Sequence, residues 1–181
     1  GGLTPERNLG VFTAALGRLL KERPELKAVL QVHQYGGGMD KFSQEGFKQL
    51  PDSILVSHGR LETDPITGKS GRQRVLEAMR ESDVLVLMHG QGDICKLYLP
   101  SKIYEYLWAQ RPVLLFSPVP THWDDIMDSG IHYVVDQSDP DEIDKTLSRL
   151  IEDWETGQLS DRPISQAHSV EAAVELLIKH N

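Results

Sequence analysis

The sequence predicts an α/β fold in which a Rossmann-like parallel sheet is covered by helices on both faces. Two observations carry this prediction. Short apolar segments alternate with amphipathic ones along the chain, and the apolar segments are hydrophobic at consecutive positions, as in Val84–Met88. Continuous hydrophobicity is typical of strands that are buried on both faces, which is the situation in a parallel sheet.

The elements are predicted in chain order from hydrophobic spacing. A helix is expected from Pro5 to Glu22, because leucines and a phenylalanine recur there at helical spacing and Pro5 suits a first turn. Strands are predicted at Ala28–Val32, Ile54–Val56, Val84–Met88, Val113–Phe116 and Tyr133–Val135. Helices are predicted over residues 41–50, 73–80, from 101 onward and near 123–128, followed by two amphipathic helices over residues 143–154 and 170–178.

The bulk composition narrows the possible functions. A chain of 181 residues with 39% hydrophobic and 25% charged residues is expected to form one domain, over residues 1–181. Its formal net charge of −8 argues against nucleic-acid binding, which needs a basic face. The lone cysteine, Cys95, excludes an internal disulfide and favours a reducing, cytoplasmic location. No apolar run approaches the roughly 18 residues of a membrane span, although peripheral membrane contact stays open.

Ligands of open parallel sheets bind in the crevice beyond the carboxyl ends of the strands. Three predicted strands end near a histidine, namely His33, His58 and His89. They lie on separate loops without metal-ligand spacing, so no metal site is predicted. The sequence also has no G-x-G-x-x-G fingerprint, no phosphate-loop motif and no G-x-S-x-G elbow, and therefore gives no support to NAD, ATP or esterase chemistry.

The most informative stretch is the run from Leu99 to Phe116. Ser101 is predicted to cap a helix whose first turn carries Lys102 and Glu105. A helix N-terminus and a lysine together favour an anion such as a diphosphate, and a carboxylate can accept two hydrogen bonds from a ribose diol. The alternative is a capped helix with a solvent-facing glutamate.

The Ser-Lys-x-Tyr-Glu-Tyr-Leu pattern of residues 101–107 and the order of elements resemble the C-terminal, donor-binding half of GT-B glycosyltransferases. The resemblance implies transfer of a sugar from a UDP- or GDP-sugar to a hydroxyl acceptor, with no metal or other cofactor. It implies donor-binding roles for Gly2, Arg7, Gly90, Ser101, Lys102 and Glu105. Arg7 and Lys102 would stabilise the charge of the departing diphosphate, and residues 58–61 would lie near the base.

The sequence departs from the family pattern in two places. Gly2 stands where many relatives have a basic residue, and Leu97 stands where many retaining members have a first glutamate. Asp93 is left open as a substitute. The resemblance also implies that an N-terminal domain, which would bind a sugar or lipid-linked acceptor, is missing, so that the chain alone would bind the donor without transfer. A nucleotide-sugar epimerase of related fold and a non-enzymatic interaction domain remain as alternatives.

Overall fold

The structure, a computed structural model, describes residues 3–90, 100–118 and 133–159. The helices are α1 (Gly10–Glu22), α2 (Lys41–Phe47), α3 (Gly71–Glu81), α4 (Lys102–Ala109) and α5 (Pro140–Glu155), with a short 3-10 helix at Pro24–Ala28. The strands are β1 (Val32–Tyr35), β2 (Leu55–Gly59), β3 (Leu85–Met88), β4 (Val113–Ser117) and β5 (Tyr133–Asp136). The helices predicted near residues 123–128 and 170–178 lie outside the described residues.

All strand pairs are parallel, as the continuous apolar runs predict. The pair β1 and β2 forms one sheet, and β3, β4 and β5 form a second sheet with β4 in the middle. The register places Leu85 beside Val113 and Leu114 beside Tyr133. The central strand β4 is buried at every position, because it has a neighbour on each side and helices above and below.

Side chains of β4 alternate between two hydrophobic cores. Leu114 and Phe116 face a large core built with α1, α2 and α5, and Val113 and Leu115 face a smaller one that includes Ile103 of α4. Helices therefore cover both faces of the sheet, and the predicted Rossmann-like α/β class is confirmed. Within the described residues, no helix is long and apolar enough to cross a membrane.

The first helix begins later than the sequence predicts. Residues 4–7 form a tight turn in which Thr4 and Arg7 exchange both backbone hydrogen bonds, so Pro5 lies in this turn and not in a helix. Helix α1 starts at Gly10, and its preceding residue, Leu9, donates its N–H to Ser43 Oγ at 2.8 Å. This contact with the start of α2 is a tertiary one, which the helical spacing of leucines does not reveal.

The first strand is also displaced from its predicted position. Residues 24–28 form the 3-10 helix, with Pro24 in its first turn and Leu26 buried, and β1 runs over Val32–Tyr35 instead of Ala28–Val32. The prediction followed the apolar residues, but β1 is a half-exposed strand whose His33 is solvent-exposed. Helix α2 ends at Phe47, three residues before the predicted end at Leu50.

Candidate functional site

A cleft of about 640 Å³ lies at the carboxyl edge of the strands. One wall is the segment after β2, residues 60–63, and another is the first turn of α3. Gly36, directly after β1, and the first turn of α4 complete the lining. The cleft therefore occupies the position in which open parallel sheets bind ligands.

Local sequence signals shape the wall between β2 and α3. Asp64 accepts hydrogen bonds from the N–H groups of Ile66 and Thr67, which closes a turn. Ser70 caps α3 in a reciprocal capping box with Gln73, whose side chain bonds back to the Ser70 N–H at 2.8 Å. These short-range bonds fix where α3 begins.

Gly71 and Arg74 hold residues 60–63 against α3. A Cβ at position 71 would lie 1.9 Å from the Leu61 carbonyl oxygen, so only glycine permits this approach. The Arg74 guanidinium donates to the carbonyl oxygen of Glu62 at 2.9 Å. The wall of the cleft therefore depends on a close contact between the backbones of residues 61 and 71. In the sequence, the only indication of this contact is a glycine directly after the helix cap.

Three charged side chains from α3 and α4 meet across the cleft. Lys102 Nζ lies 2.6 Å from Glu105 Oε2, and the Arg72 guanidinium lies 3.4 Å from Glu105 Oε1. The hydrogen bond from Lys102 holds the pKa of the Glu105 carboxyl below its usual value, and the Arg72 charge acts in the same direction. Glu105 is thus a carboxylate at neutral pH, with a cation on each oxygen.

Helix α4 presents these groups without the predicted side-chain cap. Ser101 precedes α4 in a helical conformation, and its side chain makes no capping hydrogen bond. The N–H groups of Ile103 and Tyr104 bond instead to the backbone carbonyls of Pro100 and Ser101, at 2.9 and 3.3 Å. The capping role predicted for Ser101 is wrong, because backbone turns already satisfy these first-turn donors.

Packing holds α4 in place beside α3. Arg80 of α3 lies over the Trp108 ring, 4.0 Å from its centroid. Ile103 is fully buried beneath the helix. The Tyr106 hydroxyl donates to the Val86 carbonyl at 3.4 Å, and burial raises the pKa of Tyr106 to about 12. One helix therefore directs Lys102 and Glu105 into the cleft, Ile103 into the smaller core and Tyr106 toward β3.

The structure brings together some of the predicted site residues and not others. Lys102 and Glu105 share the cleft, and Arg7 and Lys102 both line a second, larger cavity of about 980 Å³. Gly90 is buried two residues after β3 and lines neither space. Gly2 lies outside the described residues.

Two histidines that the sequence places on separate loops are in contact. His33 Nδ1 lies 2.9 Å from His58 Nε2, and the Tyr35 ring stacks on the His58 ring with centroids 4.3 Å apart. The parallel pairing of β1 with β2 brings them together. Among the described residues, no group of three or more potential metal ligands occurs.

The sequence allows Arg72 to reach the crevice but favours an exposed position on a helix face for it. Its side chain is largely exposed, yet it reaches Glu105 across the cleft. One feature of the sequence could have identified Arg72 as a site residue. Arg72 lies two residues after the Ser70 cap, in the first turn of a helix that starts at the edge of the sheet where ligands bind. Residues 60 and 61, proposed to lie near a base, do line the cleft.

Comparison with known proteins gives one structural likeness. No family model and no curated protein matches this chain. A solved structure described as the apo form of OtsA, a glycosyltransferase, matches with a TM-score of 0.55 and 18% sequence identity. The match covers 83% of this chain and 34% of the OtsA chain, so this chain corresponds to about a third of that protein. At this identity the likeness establishes the fold alone.

Proposed function

We propose that this chain binds the nucleoside diphosphate part of a UDP- or GDP-sugar, as the donor-binding unit of a glycosyltransferase. The observation that carries the proposal is the Glu105 carboxylate, which lies between Lys102 and Arg72 at the carboxyl edge of a Rossmann-like sheet. The fold likeness to OtsA, a glycosyltransferase, supports the same class.

Glu105 is the proposed ribose ligand. A carboxylate that stays ionised offers acceptor lone pairs to the two hydroxyls of a ribose. Lys102 and Arg72 keep it ionised and fix its position, and the exposed fraction of its side chain, 27%, leaves it open to the cleft. Residues 60 and 61 line the same cleft and are the proposed neighbours of the base.

Lys102 and Arg7 are the proposed diphosphate ligands. Both line the larger cavity, which borders the cleft at Lys102. Cleavage of a sugar–phosphate bond leaves negative charge on the diphosphate, and fixed cations stabilise that charge as it develops. In this proposal, a bound diphosphate competes with Glu105 for the Lys102 ammonium group.

Calorimetric and thermal-shift titrations of the chain with UDP, GDP, ADP and dTDP test the proposal. We expect one diphosphate to bind selectively and to raise the melting temperature. Glu105→Ala should weaken that binding at least tenfold, since it removes two hydrogen bonds to the ribose. Glu77→Ala is the matched control, because Glu77 forms an ion pair of the same 2.6 Å length with Lys69 outside the cleft.

Each outcome decides one part of the proposal. No response to any of the four nucleotides would refute nucleotide binding by this chain. Unchanged affinity in Glu105→Ala would refute the ribose role, and an equal loss in Glu77→Ala would show that the effect is not specific to the cleft. Arg7→Ala with unchanged affinity would remove Arg7 from the diphosphate site.

A further inference from the structure

A β-bulge between β1 and β2 places two histidine rings in contact. His33 Nδ1 of β1 lies 2.9 Å from His58 Nε2 of β2. The register of the pair shifts after Gln34, so that Tyr35 pairs with Gly59 and the register passes over His58. Bulges are rare between parallel strands, and they re-aim side chains. The bulge therefore accounts for the position of the His58 ring beside His33.

Gly59 makes this bulge possible. Its φ angle is +63°, in the left-handed region that glycine adopts at no steric cost. A Cβ at this position would meet nothing within 4 Å among the described residues, so the requirement for glycine is conformational. The Gly36 N–H donates to the Gly59 carbonyl at 2.8 Å. Pairing of the two strands therefore resumes directly after His58.

Neighbouring side chains fix the orientation of both imidazole rings. Gln31 Oε1 is an acceptor and lies 3.2 Å from His33 Nε2, so neutral His33 carries its hydrogen on Nε2 and a lone pair on Nδ1. His58 Nε2 donates to that lone pair. The Tyr35 ring stacks on the His58 ring at an interplanar angle of 2°. Both histidines are exposed, so ions in solution can reach them.

The spacing of the two rings matches that of two imidazoles bound to one metal ion. The ring centroids lie 5.1 Å apart. Two histidine nitrogens at about 2.0–2.1 Å from a tetrahedral ion lie roughly 3.3 Å apart, with their ring centroids roughly 5.2 Å apart. The ring centres would therefore stay in place. A small turn of each ring would separate the facing nitrogens by about 0.4 Å more than in the hydrogen-bonded pair.

We propose that His33 and His58 bind one divalent transition-metal ion of the class of Zn²⁺, through Nδ1 of His33 and Nε2 of His58. Neutral imidazole suits Zn²⁺, Cu²⁺ and Ni²⁺, whereas Mg²⁺ prefers oxygen ligands. On binding, the hydrogen of His58 moves from Nε2 to Nδ1 through solvent, and two Zn–N bonds replace the hydrogen bond between the rings. Both rings stay neutral, and water fills the other two positions of the tetrahedral ion. The histidines are 25 residues apart, so local ligand spacing in the sequence does not reveal them.

The contact with Gln31 supports a role for His33 as a metal ligand. A histidine that binds a metal usually donates its other N–H to an acceptor, which fixes the tautomer and the ring orientation. The contact from His33 Nε2 to Gln31 is of this kind. The ion would join β1, which leads to Gly36, to β2, which leads to residues 60–63 in the wall of the cleft. The ion would thus stabilise the pair of strands, and this inference does not depend on nucleotide binding.

Calorimetric titration of the chain with ZnCl₂ tests the proposal, with MgCl₂ as the control ion. The variants are His33→Gln, His58→Gln and the double substitution, because glutamine is polar but has no imidazole nitrogen. Two histidines that bind one ion act together, so each single substitution should weaken Zn²⁺ binding at least tenfold. The double substitution should then weaken it little further. Mg²⁺ should not bind at this pair in any of these proteins.

Gln31→Ala tests the orientation of His33, and Gln34→Ala is the matched control. Gln34 Oε1 accepts a hydrogen bond from Ser57 Oγ at 2.7 Å, so it also joins β1 to β2, but without a contact to the histidines. We expect Gln31→Ala to weaken Zn²⁺ binding about tenfold and Gln34→Ala to leave it unchanged. An equal loss in both variants would overturn the role of Gln31.

The melting temperature gives a second readout of the same site. At a Zn²⁺ concentration of about 100 times its Kd, we expect a rise of roughly 5 °C in wild type and none in the double variant. Without Zn²⁺, the variants should melt as wild type does, since both histidines are exposed. Zn²⁺ binding that is equal in wild type and the double variant would overturn the proposal. So would losses that add as for two independent histidines, or a melting temperature that Zn²⁺ raises equally in both proteins.

Discussion

We expect Gly71→Ala to destabilise the protein, even though alanine is the better helix former. In a helix, replacing glycine by alanine gains up to about 1 kcal/mol. Here the new Cβ would lie 1.9 Å from the Leu61 carbonyl oxygen, whereas real Cβ contacts essentially never fall under 3.0 Å. The obstacle is backbone, and forced overpacking costs about 1 to 3 kcal/mol. The clash therefore outweighs the gain in helix propensity.

The expected net loss is about 1 to 2 kcal/mol, which lowers the melting temperature by roughly 2 to 8 °C for a chain of this size. Differential scanning calorimetry measures it. Gly38→Ala is the matched control, because a Cβ there meets nothing within 4 Å, and its melting temperature should stay within about 1 °C of wild type. A melting temperature for Gly71→Ala at or above that of wild type would refute the reasoning, since residues 60–63 would then yield freely.

Three further predictions concern α4. Ile103→Ala should lower the free energy of unfolding by about 2 to 5 kcal/mol in urea denaturation, because Ile103 is fully buried; a loss below 1 kcal/mol would contradict its place in the core. Folding lowers the pKa of Glu105, so its contribution to stability is present at neutral pH and is lost as pH falls below the ordinary value of 4.5. The difference in melting temperature between wild type and Glu105→Gln should therefore vanish at low pH, and a difference that grows toward acid would contradict this sign. Glu105→Gln should also release Lys102 and tighten pyrophosphate binding up to about fivefold in calorimetry, while UDP or GDP binding weakens; weaker pyrophosphate binding would exclude competition for Lys102.

The three-stranded sheet could be predicted closely from the sequence. Strands β3, β4 and β5 each lie within one residue of their predicted bounds at either end, because strands buried on both faces leave an uninterrupted apolar run. The run in β4 is the clearest case, since every residue from Val113 to Ser117 is buried. In these strands, burial on both faces requires an apolar residue at every position, and the sequence shows that requirement directly.

Strand β1 could not be placed in the same way. Its residues are polar or half-exposed, and His33 faces solvent, so hydrophobicity favoured the preceding segment. In that segment, Ala28 ends the 3-10 helix and Val29, which follows it, is exposed. A half-exposed strand that forms by pairing with a neighbouring strand does not need a hydrophobic sequence, so its composition does not identify it.

The cleft was predictable in part. The 101–107 pattern identified Lys102 and Glu105, and helical spacing places them within one turn. The reach of Arg72 to Glu105 depends on the relative placement of α3 and α4, which rests on the Arg80–Trp108 contact and on the close approach of Gly71 to Leu61. The spacing of residues within one segment does not predict such contacts between segments that are distant in the sequence.

Helix α4 lies between the cleft and the larger cavity. Lys102 borders both spaces, while Glu105 lines the cleft and Tyr106 lines the larger cavity. The Tyr106 hydroxyl donates to the Val86 carbonyl at 3.4 Å, which ties α4 to β3. In the proposed function, a diphosphate lies between Lys102 and Arg7, which both line the larger cavity. Packing that fixes α4 therefore also fixes one of the two cations, and cations fixed in advance stabilise a developing diphosphate charge best.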